Sequence, residues 1–263
     1  MNGDAALKRQ VIPVAGIDIE VHEAGSGEPM LFLHSGQGFR PDHTYVRLLA
    51  EKRRVIAPSH PGFGRSGLPS WLGTVDDIAH IHLELMDKLG LAKADVVGAS
   101  IGGWIAAEMA TKSPERFKKL VLVSPVGVKV GPTDKLDIPD IFAMPLDRVN
   151  KLLFHNPDNA KVDVAKMTDE ALTIMVRNRE TLALLCWEPW MHNPKLKHRL
   201  HRIDAPTLFL RGASDGLVSA EYLAAYARLV PNAAVETVPE AGHALPVEQP
   251  DAFASRVLSF LSA

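Results

Sequence analysis

The chain has 263 residues, of which 46% are hydrophobic and 23% charged, and its formal net charge is -2 at pH 7. This length suits one large α/β domain or a core with an inserted subdomain, and the near-neutral charge does not favour binding to nucleic acid or an anionic membrane. Cys186 is the only cysteine, which excludes an intrachain disulfide and argues against a cysteine-based zinc site.

Strands and helices are predicted to alternate along the first half of the chain. Residues 11–14 and 17–21 indicate a hairpin of half-exposed strands, because apolar and polar side chains alternate there. Residues 30–33 form a continuous apolar run, typical of a strand buried on both faces. The later patterns predict helices and strands in turn at about 41–51, 55–57, 74–89, 95–97, 101–112 and 120–123. This alternation indicates a parallel sheet with helices on both faces.

Residues 127–202 interrupt the alternation. They contain no strand-like run, but they carry helical patterns at 145–153 and 168–185 with several prolines between them. The alternation then resumes with strands and helices at 207–210, 219–229, 235–238 and 251–261. Because the insertion begins and ends at the same sheet edge, we interpret 127–202 as a helical lid on a core of residues 1–126 and 203–263. Packing helices without a function are the alternative.

Ser100 is the predicted nucleophile. It lies within Gly98-Ala99-Ser100-Ile101-Gly102, between a predicted strand and a predicted helix. A serine on such a tight turn has a strained backbone and projects its hydroxyl above the sheet. The glycines let strand and helix approach closely, and the helix N-terminus directs N–H groups towards negative charge.

Asp215 and His243 are the predicted partners of Ser100. A serine hydroxyl needs a base to take its proton and a third group to orient that base. Asp215 and His243 each follow a predicted strand, so all three residues should lie along the same carboxyl edge of the sheet. Glu240 is the alternative acid, although it would have to fold back to reach the histidine. Asp215 as a helix cap is a weaker interpretation, because Ser219 is better placed for that role.

An oxyanion formed at Ser100 would need two N–H donors. The N–H of Ile101, directly after the nucleophile, is the first. The second is expected from the loop that follows the strand at 30–33, with Gly36 as the main candidate and Gln37 as the second. The Gln37 side chain is also a candidate for substrate contact, and His34 is expected to hydrogen-bond the loop and hold its shape.

These motifs resemble those of the α/β-hydrolase fold over nearly the whole chain. The residues that carry the resemblance are His34-Ser35-Gly36-Gln37-Gly38, Pro61-Gly62-Phe63-Gly64-Arg65-Ser66, Gly98-Ala99-Ser100-Ile101-Gly102-Gly103, Asp215 and Gly242-His243. The resemblance implies an eight-stranded, mostly parallel sheet with helices on both faces, a helical lid after strand six, and a Ser100–His243–Asp215 triad. Relatives commonly have His-Gly where this chain has His34-Ser35, so the second oxyanion donor stays open.

Neither a metal nor an organic cofactor is expected. Residues 62–67 match G-x-G-x-x-G, but Pro69 stands where a dinucleotide-binding helix should grow. His80 and His82 point to different faces of their predicted helix and so do not share a metal. His198 and His201 fit a solvated basic turn, which is placed to steer anionic substrates towards the cleft.

The sequence therefore predicts a serine hydrolase that transfers an acyl group to water. Five lid residues are candidates for lining a mainly apolar substrate site: Phe142, Met144, Trp187, Trp190 and Met191. A carboxylesterase is the first expectation. A carbon–carbon hydrolase of ring-cleavage products is the alternative, ranked second because such relatives often have tryptophan where Ala244 follows the histidine. A receptor that binds a small molecule and turns it over slowly is a third interpretation.

The expected location of the protein is the cytoplasm. The chain starts with polar residues that lack the apolar core of a signal peptide, and no apolar run approaches the ~20 residues of a membrane span. The expected partner is a small-molecule substrate, with no nucleic acid and no membrane. A homo-oligomer is compatible with the sequence, which does not indicate one.

Overall fold

The computed structural model describes residues 7–160 and 162–263, whose strands form one eight-stranded sheet. The strands are β1 (Lys8–Val14), β2 (Ile17–Ala24), β3 (Pro29–Leu33), β4 (Arg54–Pro58), β5 (Ala94–Ala99), β6 (Phe117–Val123), β7 (Thr207–Gly212) and β8 (Ala233–Val238). Their order is β1-β2-β4-β3-β5-β6-β7-β8. β2 pairs antiparallel with β1 and β4, and all other neighbours are parallel. The predicted mostly parallel sheet is confirmed.

The helices follow the predicted positions closely. They are α1 (Thr44–Ala50), α2 (Val75–Lys88), α3 (Ile101–Lys112), α4 (Leu146–Leu153), α5 (Asp169–Cys186), α6 (Ala220–Ala227), α7 (Leu245–Glu248) and α8 (Pro250–Ser262). α2 begins with a reciprocal capping box between Thr74 and Asp77, which satisfies N–H groups that the first turn leaves free. α1 is shorter than predicted because the backbone before it is extended at His43, and α7 was not predicted.

The hydrophobic core lies in two layers, one on each face of the sheet. Along β3, Met30 and Phe32 pack into one layer, whereas Leu31 and Leu33 pack into the other. This alternation follows from the two-residue period of a strand. α1 and α8 cover the first layer, and α2, α3 and α6 cover the second. Both faces of the strand are therefore buried, as its continuous apolar run predicts.

Residues 127–202, called the inserted segment below, connect β6 to β7. These two strands are neighbours and run parallel, so the segment leaves at the carboxyl end of β6 and returns at the opposite edge, where β7 begins. The expectation that it begins and ends at the same sheet edge is therefore wrong, because a connection between parallel strands has to cross over. It contains α4, α5 and several short 3-10 turns. Its function as a lid stays a prediction.

Within the described parts of the chain, no helix combines the length and apolar character needed to cross a membrane.

Candidate active site

Ser100 stands on a sharp turn between β5 and α3. Its backbone has φ 55° and ψ -116°, a strained conformation for a residue with a side chain. The surrounding glycines permit this turn, because a Cβ on Gly98 would lie 2.3 Å from the Gly102 carbonyl oxygen. A Cβ on Gly102 would lie 2.1 Å from the Leu33 carbonyl oxygen. The chain thus has the strand–turn–helix geometry that the pentapeptide predicts.

Asp215 and His243 meet at the carboxyl ends of β7 and β8. His243 Nδ1 lies 3.0 Å from Asp215 Oδ2, while Asp215 Oδ1 accepts hydrogen bonds from the N–H groups of Leu217 and Val218 at 2.9 and 2.8 Å. Burial alone would raise the pKa of Asp215, but the His243 ring and the Val218 N–H outweigh burial and lower it. Asp215 is therefore a buried, charged acceptor for the histidine.

The second nitrogen of the His243 ring remains available. Nε2 is buried and has no hydrogen-bond partner among residues 7–160 and 162–263. Since Nδ1 is occupied by the carboxylate, Nε2 is the atom left for proton transfer. The alternative acid, Glu240, is exposed, and α6 is capped by Ser219, whose Oγ accepts from the Tyr222 N–H at 3.1 Å. Neither alternative therefore has structural support: Glu240 as the partner acid, or Asp215 as a helix cap.

The His243 turn is held by Glu248. One carboxylate oxygen of Glu248 accepts from the Gly242 N–H at 2.7 Å and from the His155 N–H at 3.0 Å. The other accepts from the Asn156 N–H at 2.9 Å. The same carboxylate thus fixes the turn before the histidine and the residues after α4. Sequence reasoning missed Glu248 because its partners in the inserted segment lie more than 90 positions away.

The loop after β3 forms a turn that leaves donors free. The Gly38 N–H donates to the Ser35 carbonyl oxygen at 3.0 Å, and His34 Nδ1 donates to the same oxygen at 2.7 Å. In the part of the chain that the structure describes, the N–H groups of Gly36 and Ile101 donate no hydrogen bond. The Gln37 N–H has only a long contact of 3.4 Å with Ser35 Oγ. Gly36 and Ile101 are thus available donors.

His34 belongs to a buried trio of histidines. His34 Nε2 accepts from the His60 backbone N–H at 3.0 Å, and His60 Nε2 donates to the His34 carbonyl oxygen at 2.9 Å. His60 Nδ1 must then accept from His82 Nε2, which lies 2.8 Å away. Each ring therefore uses one nitrogen as a donor and the hydrogen-bond pattern fixes all three tautomers.

The three rings are neutral. Burial lowers the pKa of His34 to about 4 and that of His82 to about 3. Burial, with His34 and His82 as neighbours, lowers the pKa of His60 well below its ordinary value. The loop role expected of His34 is confirmed by its hydrogen bonds. His80 is exposed whereas His82 is buried, so the two do lie on different faces of α2.

Helix α5 of the inserted segment packs on two core loops. Asn178 Nδ2 donates to the Gln37 carbonyl oxygen at 2.9 Å, and Asn178 Oδ1 accepts from the Gly64 N–H at 2.9 Å. Thr181 Oγ1 donates to the Gly62 carbonyl oxygen at 2.9 Å. The loop with the G-x-G-x-x-G pattern, residues 62–67, is therefore a surface on which α5 of the inserted segment packs. Sequence reasoning did not find Asn178 or Thr181.

Three of the five predicted substrate-binding residues form an aromatic cluster in the inserted segment. The rings of Phe142, Trp187 and Trp190 have centroids 5.9 to 6.4 Å apart. Trp187 is 58% exposed, whereas Met191 is buried and Met144 is half-buried. Their contact with substrate stays a prediction.

Among the described residues, no group of three or more histidine, cysteine or acidic side chains is arranged to hold a metal.

Comparisons with known proteins identify the family of this chain. Residues 30–256 match the profile of the Alpha/beta hydrolase family. A 2-hydroxymuconate semialdehyde hydrolase of Pseudomonas putida is 28% identical, over 97% of this chain and 94% of its own length. A 2-hydroxy-6-oxononadienedioate/2-hydroxy-6-oxononatrienedioate hydrolase of Burkholderia vietnamiensis strain G4 is 30% identical, over 94% of this chain and 92% of its own.

Solved structures show the same fold. The 2-hydroxy-6-oxo-6-phenylhexa-2,4-dienoate hydrolase of Rhodococcus sp. strain RHA1 superposes with a TM-score of 0.78 at 21% identity, covering 98% of this chain and 100% of that one. A thermophilic esterase of Thermogutta terrifontis gives 0.74 at 23% identity, covering 97% and 98%. With the profile match spanning most of its length, the chain belongs to the α/β-hydrolase family and is a hydrolase.

Proposed function

We propose that this hydrolase cleaves a carbon–carbon bond in ring-cleavage products of the 2-hydroxy-6-oxo-dienoate class. The observation that carries the proposal is the similarity, along nearly the full chain, to several relatives named for such substrates. The sequence alone favours an ester, mainly because Ala244 follows His243. The full-length relatives support the alternative better than that single position supports the ester.

The proposed bond cleavage begins at Ser100. His243 Nε2 takes the proton of the Ser100 hydroxyl as Oγ attacks the carbonyl carbon C6 of the substrate. Asp215 keeps the proton on Nδ1 and stabilises the imidazolium. The N–H groups of Ile101 and Gly36 hold the oxyanion that forms on the substrate.

The leaving group in this reaction is carbon, which is a poorer leaving group than an alkoxide. Before the attack, ketonisation of the 2-hydroxyl moves its proton to C5, which becomes a saturated carbon joined through the C3=C4 double bond to the new 2-oxo group. When the C5–C6 bond breaks, its electron pair therefore delocalises into a dienolate, which takes the proton held by His243. Water, activated by the same histidine, then hydrolyses the ester on Ser100 and releases the acid.

The inserted segment is proposed to be the lid over this site. α5 packs on the loop that carries Gly36, since a Cβ at Gly36 would lie 2.6 Å from a methyl carbon of Leu182. Closure by the segment would exclude water from the reacting groups. The aromatic cluster around Phe142, Trp187 and Trp190 is proposed as the apolar side of the substrate site.

Hydrolysis of a carboxylic ester is the second candidate, favoured by the side chains of α5. Ring-cleavage substrates carry a carboxylate, which a free cation would recognise. Arg177, however, donates to the carbonyl oxygens of Gly64 and Ser66 at 3.2 and 2.6 Å. Arg179 stacks over the Phe142 ring at 4.8 Å. Both guanidinium groups are thus engaged, which suits an uncharged substrate.

Two measurements test the proposal. A fluorophosphonate probe is expected to label the wild type but not Ser100→Ala, because only an activated serine reacts. The kcat/KM for a 2-hydroxy-6-oxo-dienoate, followed by loss of its absorbance, is expected to exceed that for p-nitrophenyl esters. Ester turnover with no Ser100-dependent loss of the dienoate would refute the carbon–carbon assignment and leave the ester hydrolase. Absence of labelling would refute both.

A further inference from the structure

We propose that Asn178 is a positioning residue that orients the Gly36 N–H towards the substrate oxyanion. Its amide acts through two peptide groups of the loop 35–38, so that packing of α5 on the core completes the oxyanion hole. The inference rests on the proposed function, because it takes Ser100 as the nucleophile and Gly36 as an oxyanion donor.

A chain of hydrogen bonds connects Asn178 to Gly36. Asn178 Nδ2 donates to the Gln37 carbonyl oxygen at 2.9 Å, and the N–H of the same peptide group, on Gly38, donates to the Ser35 carbonyl oxygen at 3.0 Å. The peptide group of that carbonyl ends in the Gly36 N–H. Because C=O and N–H point in opposite directions across a trans peptide, each hydrogen bond fixes the direction of the next N–H. Aligned peptide dipoles also strengthen one another.

The orientation of the Asn178 amide is itself determined. The side chain is 5% exposed, and its Oδ1 accepts from the Gly64 N–H at 2.9 Å. A backbone N–H only donates, so the oxygen must face Gly64 and the NH₂ group must face Gln37. The fit is close, because a Cβ on Gly38 would lie 2.4 Å from Asn178 Nδ2. Gly38 has φ 90°, a conformation that favours glycine.

The loop 35–38 is held by one residue of the core and by one residue of the inserted segment. His34, from the core, donates to the Ser35 carbonyl oxygen at 2.7 Å and is fixed by the buried histidine trio. Asn178 comes from the inserted segment, whose helix α5 joins the core loops through hydrogen bonds of polar side chains and through the apolar side chain of Leu182 at Gly36. Water replaces such bonds at low cost when a surface separates. The core therefore holds the loop permanently, and α5 holds it only when the segment is closed.

The test compares two isosteric variants on one helix. Asn178→Asp keeps an acceptor for Gly64 but removes the donor to Gln37. Thr181→Val removes the hydrogen bond to the Gly62 carbonyl oxygen, which also joins α5 to the core but does not touch the loop 35–38. Asn178→Ala is the second variant at the same position, in case the introduced charge prevents folding. Thermal unfolding of each variant measures any general loss of stability.

The main readout is affinity for a trifluoromethyl ketone, which becomes an oxyanion on reaction with the serine. Asn178→Asp is expected to weaken this affinity by about 10- to 100-fold, less than the loss of a whole oxyanion donor, and to lower kcat similarly with little change in KM. Thr181→Val is expected to retain wild-type affinity. A purely structural role of Asn178 would lower the melting temperature without this selective loss.

The outcomes separate this inference from the proposed function. If the fluorophosphonate fails to label the wild type, the nucleophile assignment fails and this inference fails with it. If the wild type is labelled but both Asn178 variants bind the ketone as it does, only the inference is overturned. Equal losses in Asn178→Asp and Thr181→Val would also overturn it, because the effect would then come from the packing of α5 in general.

Discussion

The buried histidine trio should make the stability of this protein depend steeply on pH. In an unfolded chain, His34, His60 and His82 take up protons as the pH falls through about 6.5. In the folded protein, burial keeps them neutral, with pKa values of about 4 for His34 and about 3 for His82. The unfolded state therefore binds more protons below pH 6.5, and the folded state loses stability as the pH falls.

The size of the effect follows from the pKa differences. Each histidine that is protonated only in the unfolded state costs about 1.4 kcal/mol of unfolding free energy per pH unit. For His34, the interval from 6.5 to about 4 corresponds to about 3.4 kcal/mol. The three rings together give a slope of about 4 kcal/mol per pH unit below pH 6. A typical free energy of unfolding of about 5–15 kcal/mol would therefore fall to zero within a few pH units.

Urea unfolding followed by tryptophan fluorescence between pH 5 and 7.5 measures this slope. His82→Gln keeps an N–H donor for His60 Nδ1 but removes one titrating ring, so the slope should fall by about 1.4 kcal/mol per pH unit. His80→Gln is the matched control, since it makes the same substitution at an exposed position of the same helix. Identical slopes in the wild type and His82→Gln would show that His82 is not held neutral by the fold.

Three further substitutions test the site. Asp215→Asn should lower kcat by about 10⁴-fold at pH 7, because the imidazole of His243 loses its orienting carboxylate; a loss below tenfold in steady-state assays would contradict the assignment. Glu248→Gln should lower kcat about tenfold with little effect on KM, because an NH₂ group then faces backbone donors. Glu240→Gln, an exposed neighbour, is its control, and equal effects would remove the role of Glu248. Gly102→Ala should lower the melting temperature, since its Cβ would lie 2.1 Å from a carbonyl oxygen of β3; an unchanged melting curve would argue against the tight turn.

Much of the fold could be predicted because it depends on local patterns. Apolar runs marked the buried strands, and the glycines around Ser100 marked a turn that only small neighbours permit. Once the strands were assigned, the positions of Asp215 and His243 followed, since both come directly after a strand and the carboxyl ends of parallel strands share one edge. α7 escaped prediction because it has only four residues, too few to show a helical period.

The residues that hold the site in place could not be predicted. Asn178 is 141 positions from Gln37, and Glu248 is 93 positions from His155. No local pattern connects residues so distant, and a polar side chain on a helix is usually solvated. His60 and His82 gave no signal either, because their burial results from the packing of α2 against the loops after β3 and β4.

The attachment of the inserted segment to β6 and β7 has a consequence for how this enzyme can diversify. The two strands are parallel, hydrogen-bonded neighbours, so the segment has to cross from the carboxyl end of β6 to the opposite edge of the sheet, where β7 begins. A replacement of different length or composition that still makes this crossing can be grafted there without changing the pairing of any strand. Selection can rebuild the proposed lid in this module while the residues at the ends of β5, β7 and β8 keep their geometry.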